Sequence, residues 1–269
     1  MPKVSVIMPV YNCEKFVTHA IHSVQNQTFK DWELIVINDG STDNSLAEIL
    51  KMAETDKRIK VVDLSYNQGV GRCRNIGIYY AKGRYLAFLD SDDLWSKQKL
   101  QKQLFFMQKK DIALSHTSYA YVDEKSCIFP TGQVCVDACV NMAKYMKTTQ
   151  IGMSTVMVDT SKVSDLSFPE DRGLSEDAGA WMKLLRRGEQ FYGLNDVLML
   201  YRVHPHQLSQ NKAKMAKCTF RRYMNEKQLS LYRRLYYFSQ YAYHGFQKRL
   251  VKNQLDIPKL MRNFDCCSF

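Results

Sequence analysis

Nowhere does this chain hold the ~18 to 20 consecutive apolar residues that a membrane-crossing helix requires, so its apolar content is available to a folded core. With 45% of 269 residues hydrophobic, that core can be sizeable, and one main domain with an appendage is expected. The start, Met1-Pro2-Lys3, lacks a signal-peptide pattern and runs straight into a β-rich segment, which makes the cytoplasm the default compartment. There is no CxxC pair among the eight scattered cysteines, which argues against a zinc or disulfide framework and for reduced thiols. Also missing is GxGxxG, so a dinucleotide-binding fingerprint is not indicated. Internal repeats and low-complexity tracts are absent too.

Acidic residues are scarce at one end only. Residues 212–269 hold 13 Lys and Arg against 3 Asp and Glu, whereas residues 1–211 hold 25 against 24. The net charge of +11 therefore belongs to the tail, and an anionic partner should meet that end.

What is present is an alternation of short apolar runs and helical patterns. Strands are expected at Val4 to Met8, Leu34 to Ile37, Ile59 to Leu64 and Tyr85 to Leu89. Between them lie helical patterns around Phe16 to Val24, through Met52 after a cap at Asp43 or Ser45, and over Val70 to Ala81. Such alternation predicts an α/β fold with a mostly parallel, Rossmann-like sheet whose ligands gather beyond the carboxyl ends of the strands. Ser96 can cap a helix over Lys97 to Lys109. Strand patterns follow at Leu114 to Val122, Thr155 to Val158 and Val197 to Val203, with a helix over Glu176 to Arg187. The expected division is a body of residues 1–211, with a nucleotide-binding half to about 110 and an acceptor half over 111–211, followed by a helical tail over 212–269.

Five segments could carry chemistry. Phe88-Leu89-Asp90-Ser91-Asp92-Asp93 ends an apolar strand in three carboxylates; in an extended chain Asp90 and Asp92 point the same way, a hard-oxygen pair suited to Mg²⁺ or Mn²⁺. Read alone, the same run is equally a solvated acidic turn. Asp39, in Asn38-Asp39-Gly40-Ser41-Thr42-Asp43, also follows a strand and could accept hydrogen bonds from a base or ribose, although Asp-Gly-Ser is commonly an ordinary turn. Asn67 to Asn75 enters a helix with Arg72 and Arg74, partners suited to a diphosphate or simply exposed arginines. In Leu174-Ser175-Glu176-Asp177, Ser175 can cap a helix whose first-turn acids suit the dipole or supply a general base. Tyr201 to His206 ends a strand with Arg202, His204 and His206, where an imidazole could ligate a metal and Arg202 neutralise a diphosphate.

Taken in this order and spacing, Val4 to Asn12, Asn38 to Asp43, Asn67 to Gly77, Asp90 to Trp95 and Glu176 to Trp181 make residues 3 to about 210 resemble glycosyltransferase family 2, inverting enzymes with a GT-A fold. The resemblance implies that Pro9, Tyr11 and Asp39 frame the nucleotide base, that Arg74 of Cys73-Arg74-Asn75 serves the donor, and that Asp90 meets the ribose. It further implies Asp92 as metal ligand with His204, Asp177 as base with Glu176 as its alternative, and Mn²⁺ or Mg²⁺ as cofactor. Arg72 stands where relatives commonly have a small residue. A UDP-sugar donor and a lipid-linked or oligosaccharide acceptor, as in O-antigen or capsule synthesis, are expected by the same resemblance.

In the tail, Leu231, Leu235, Phe238, Ala242, Phe246 and Leu250 recur near helical spacing between cations, with six tyrosines nearby. This reads as an amphipathic basic helix or a pair of them. It could dock on an anionic inner membrane surface, or pack on the body with a solvated basic face. Basic aromatic sequence also suits nucleic acid, but the neutral, carboxylate-bearing body argues against that as the main ligand. A sugar nucleotidyltransferase would carry a glycine-rich basic loop after the first strand, where Pro9-Val10-Tyr11-Asn12 stands instead.

Overall fold

The computed structural model describes residues 1–171, 176–205, 207, 212–250 and 257–264. The first half runs β1 (Val4–Val10), α1 (Val17–Gln25), β2 (Trp32–Asn38), α2 (Ser45–Thr55), β3 (Ile59–Asp63), α3 (Val70–Tyr80), β4 (Tyr85–Phe88), β5 (Leu94–Trp95) and α4 (Lys99–Lys110). Next come β6 (Leu114–Val122), β7 (Ile128–Val134), β8 (Cys139–Val140), α5 (Met142–Thr148), a 3-10 turn (Met153–Thr155) and β9 (Met157–Asp159). The chain continues through α6 (Glu176–Arg186), β10 (Phe191–Arg202), α7 (Lys212–Met224), α8 (Leu231–Leu250) and α9 (Ile257–Met261).

One sheet runs β3-β2-β1-β4-β9-β6-β10-β5, with β7 added to β6 and β8 to β10. The β3, β2, β1 and β4 strands are parallel, β9 is antiparallel to both β4 and β6, and β10 is parallel to β6. Helices cover both faces, which is why β1 and β2 are buried along their whole length instead of alternating. On one face Val17, Ala20, Ile21 and Val24 of α1 join Leu100, Leu104 and Met107 of α4. On the other, α3, α5, α6 and α7 contribute Cys73, Tyr145, Trp181 and Tyr223 to a second core.

The expected strands and helices of residues 4–122 form with ends shifted by a few residues. Two expected caps do not. α2 begins after Asn44 and α4 after Gln98, neither with a side-chain cap. Asp43 is instead spent on the Glu14 and Ser45 amides, which fastens the β1 loop to the β2 loop. The strand expected at Val197 to Val203 is a longer one, β10, bulged between Leu194 and Met199. No disulfide links the described cysteines.

The tail holds α7, α8 and the short α9, and α8 packs on the body through Phe238 of the expected apolar stripe together with tyrosines outside it. Tyr237, Phe238 and Tyr241 lie against the second core, while Leu231 and Leu235 face outward. The side chains of Phe246 and Leu250 lie outside the described ones.

Candidate active site

The parallel register brings the carboxyl ends of β1, β2 and β4 to one edge, pairing Val10 with Asn38 and Ile7 with Phe88. Each strand there gives way to a loop bearing predicted site residues. Pro9 is still inside β1 and buried, so of the two β1-side residues expected at the base with Asp39 it is Tyr11, 49% exposed, that offers its side chain. The Tyr11 loop is held rigidly: Asn12 accepts from the Thr42 amide at 2.8 Å and donates its own amide to Ser41 at 3.1 Å.

Asp39 is buried, with Oδ1 accepting from the Gln68 amide at 2.6 Å and Oδ2 from the Gly69 amide at 2.9 Å. It thus fixes the loop that starts α3. The chain passes so closely here that a Cβ on Gly40, itself at φ +65, would stand 2.6 Å from the Tyr66 carbonyl carbon.

Asp90 and Asp92 do not sit on an extended chain. The Asp93 amide donates to the Asp90 carbonyl at 3.1 Å, a turn, so the alternation that placed both carboxylates on one side is replaced by turn geometry. The three acids part company. Asp90 pairs with Arg74 at 2.7 Å; burial raises its carboxyl, with Arg74 opposing and Asp92 adding to the rise. Asp93, which the sequence reading left without a role, is buried, accepts from Ser154 Oγ at 2.6 Å and from the Arg202 amide at 3.1 Å, and is raised well above the usual range by burial and by its acidic neighbours. Asp92 faces His204, Oδ2 to Nε2 at 3.0 Å, with Gln207 Nε2 at 3.2 Å from the same oxygen.

Arg202, expected to face a diphosphate, turns its guanidinium toward the chain. It is fully buried, its Nε donating to the Asp92 carbonyl at 2.8 Å and Nη1 to the carbonyls of Asp123 and Glu124, with the guanidinium 4.7 Å from the centre of the Phe16 ring. Phe16 also lies 5.0 Å from the His204 ring, so one aromatic shelf supports both. Arg202 is a brace for the Asp92 turn, because its guanidinium is aimed at backbone carbonyls. His206 and Ser175 lie outside the described residues.

Arg74 joins the two halves of the site. It is buried, with Nη2 on Asp90 and Nη1 on Glu176 at 2.6 Å, and the two carboxylates hold its guanidinium protonated against the cost of burial. The pair also assigns the acids of α6: Glu176 is committed to Arg74. Asp177, partly buried, has a carboxyl pushed up to about 6, first by burial and then by the charge of Glu176.

α6 is placed by packing. Trp181 is fully buried and meets Phe168 and Phe191 edge-on at 5.8 and 5.1 Å, contacts worth about 0.5–1.5 kcal/mol each beyond their buried area. The loop before α6 is tied to α3: Asn75 donates to the Phe168 carbonyl at 2.9 Å and accepts from the Phe168 amide at 2.8 Å. Arg72, the unusual residue, reaches Glu170 on this loop at 3.2 Å, an exposed pair.

A metal was expected at Asp92 and His204. Among the described residues no group of three or more His, Cys, Asp or Glu could hold an ion. A carboxylate and an imidazole nevertheless fit one that completes its shell with water and substrate phosphate oxygens.

Known proteins align with this arrangement. The family described as Glycosyl transferase family 2 matches residues 5–155. The putative teichuronic acid biosynthesis glycosyltransferase TuaG of Bacillus subtilis (strain 168) is 37% identical over 255 residues, 93% of this chain and 98% of that protein. The UDP-Glc:alpha-D-GlcNAc-diphosphoundecaprenol beta-1,3-glucosyltransferase WfgD of Escherichia coli is 34% identical over 215 residues, 80% of this chain and 82% of that one. Among solved structures, S. aureus TarS 1-349 in complex with UDP superposes with a TM-score of 0.67 at 24% identity, over 91% of this chain and 72% of that one. With the family matched over more than half its length and such relatives aligned across most of it, the chain belongs to glycosyltransferase family 2 and has the GT-A fold.

Proposed function

We propose that this glycosyltransferase moves a sugar, with inversion, from a UDP-sugar to a hydroxyl of a lipid-diphosphate-linked glycan at the inner membrane surface, in the making of a surface polysaccharide such as O-antigen or capsule. The observation that carries the reading is the Asp90–Arg74–Glu176 bridge, which ties the donor side of the site to the helix start where Asp177 waits as a carboxyl raised to about 6. The names of the lipid-linked glucosyltransferase WfgD and of the teichuronic acid enzyme TuaG support the choice of donor and acceptor class.

In this mechanism Tyr11 covers the base, Asp39 holds the loop beneath it, and Asp90 accepts from the ribose. Asp92 and His204 would hold Mn²⁺ or Mg²⁺, which when bound would offset the charge on the departing diphosphate. Arg202 positions that pair through the Asp92 carbonyl. Asp177 accepts the acceptor hydroxyl's proton as the oxygen attacks the anomeric carbon from the face opposite the diphosphate; the C–O bond to the diphosphate breaks and the anomeric centre inverts. Glu176 keeps Arg74 in place and, by its charge, keeps Asp177 basic.

The test is thermal stability with UDP, GDP, dTDP and CMP compounds, each with Mn²⁺, with Mg²⁺ and with chelator. UDP or a UDP-sugar at about a hundred times its Kd should stabilise the fold by ~2.7 kcal/mol, and chelator should abolish the shift. A shift with another nucleotide class alone overturns the UDP assignment, and a shift unaffected by chelator overturns the metal.

A further inference from the structure

Helix α8 has two apolar faces and the body uses one. Tyr237, Phe238 and Tyr241 pack inward, whereas Leu231, Tyr232, Leu235, Tyr236 and Tyr243 are 61, 79, 47, 41 and 55% exposed. At 3.6 residues per turn those five fall within an arc of about 140° that winds along some three turns of helix. They form a stripe, which is unlike the scattered exposure of single apolar residues on ordinary surfaces.

The helices that carry the stripe are strongly cationic. Between residues 212 and 250 the sequence holds ten Lys and Arg and one acid, Glu226. That acid is buried against the Arg186 guanidinium, so it offsets nothing at the surface. Arg221, Lys227 and Arg233 are exposed. Lys147 of α5 stands 5.8 Å from the Tyr236 ring centre and with His244 lines a cavity of about 480 Å³ between α5 and α8, where Lys144 is paired with Asp137 at 2.8 Å and Lys147 supplies the cation toward the stripe.

We infer that this outward face of α8 and its cationic rim dock on an anionic phospholipid bilayer. Leucine anchors enter the acyl boundary, tyrosine rings suit the headgroup layer because one end is apolar and the other polar, and the rim meets lipid phosphates. A second copy of the chain is disfavoured, because a two-fold contact through this stripe would bring the same cations face to face. Nucleic acid would leave Leu231 and Leu235 without a task. The proposal gives the membrane-surface part of the functional reading its attachment point, and it stands or falls independently of donor and acceptor.

The experiment is flotation of the full chain with vesicles of phosphatidylcholine alone and of phosphatidylcholine mixed with phosphatidylglycerol, which carry no glycan. Wild type should float with the anionic vesicles, and raised salt should weaken it. A Leu231→Ser, Leu235→Ser, Tyr236→Ser variant should lose at least about tenfold in partitioning, and so should a Lys147→Glu, Arg233→Glu variant. Both should keep the stabilisation by UDP seen in wild type. Absence of flotation, equal flotation on neutral vesicles, variants that float like wild type, or a wild-type dimer dissolved by the serine variant would each overturn the proposal. Flotation by a wild type that UDP does not stabilise would sink the donor assignment and leave docking intact.

Discussion

At the scale of single residues, Glu176 and Asp177 are neighbours with opposite tasks, and electrostatics divides them. Glu176 stands 2.6 Å from a buried guanidinium and serves as counter-charge to Arg74. The adjacent carboxyl, partly buried and repelled by its neighbour, is pushed up to about 6, which puts a general base near neutral pH. Below that value Asp177 carries the proton it must accept. Transfer at saturating substrate should therefore rise with pH and reach half its plateau near 6. Asp177→Asn should lower transfer by about 10²–10⁴ and leave the UDP-induced rise in Tm in place. Turnover by Asp177→Asn near the wild-type rate, with the acidic limb still present, would move the base elsewhere.

At the scale of elements, the site depends on two close approaches that place α6 over α3. A Cβ at Gly71 would lie 2.2 Å from the Pro169 carbonyl oxygen, and one at Gly179 would lie 2.6 Å from the Pro169 ring. Backbone cannot yield as a flexible side chain does, so Gly71→Ala must displace the loop that leads to Asp177. It should cost about 1–3 kcal/mol in Tm measurements and lower kcat more than it raises KM for the donor, because the donor loops on β1 and β2 are left alone. An unchanged kcat would mean that α6 holds its place without this contact. Neither Gly71 nor Pro169 could be singled out from the sequence, because their meeting is a contact across about a hundred residues of chain. The parallel strands and their helices were legible, since buried runs and period-3.6 patterns are local signals. The carboxylates at the ends of β2 and β4 were legible for the same reason. What composition could not disclose was which acid each cation would choose: Arg202 reads as a phosphate ligand until Asp92, Asp123 and Glu124 present their carbonyls to it. The bulge in β10 and the short strands β5 and β8 likewise depend on neighbours distant in sequence. In the tail the leucine spacing was visible, but tyrosines rather than leucines supply the packed face, which hydropathy alone ranks the other way.

At the scale of the whole molecule, one source of acid sensitivity lies outside the active site. His116 of β6 is wholly buried, with neither ring nitrogen hydrogen-bonded and the Phe191 ring 6.3 Å away edge-on. Burial disfavours its charged form and lowers its pKa to about 4, against an ordinary value of about 6.5. The unfolded chain therefore binds a proton at this residue over a pH range where the folded chain does not. The contribution of His116 is whole above about 6.5 and declines as pH falls toward 4, by about 3 kcal/mol, while Asp177, whose raised carboxyl takes up its proton more readily in the folded chain, adds stability over the same window. Acids whose carboxyls are held low by partners, such as Glu33 by Lys60 and Asp159 by Arg84, add their own losses only below their ordinary range near 4, so the two effects separate on the pH axis. Between pH 7.5 and 4.5 the Tm of wild type should lose ground to that of His116→Leu by roughly 2–4 °C per kcal/mol of this contribution. His116→Leu should match wild type or exceed it at pH 7.5, because an apolar side chain there leaves no polar nitrogen without a partner, and should pull further ahead of it as pH falls. A variant that loses stability along the same acid limb would assign the limb to another group and leave the buried imidazole without effect on the fold.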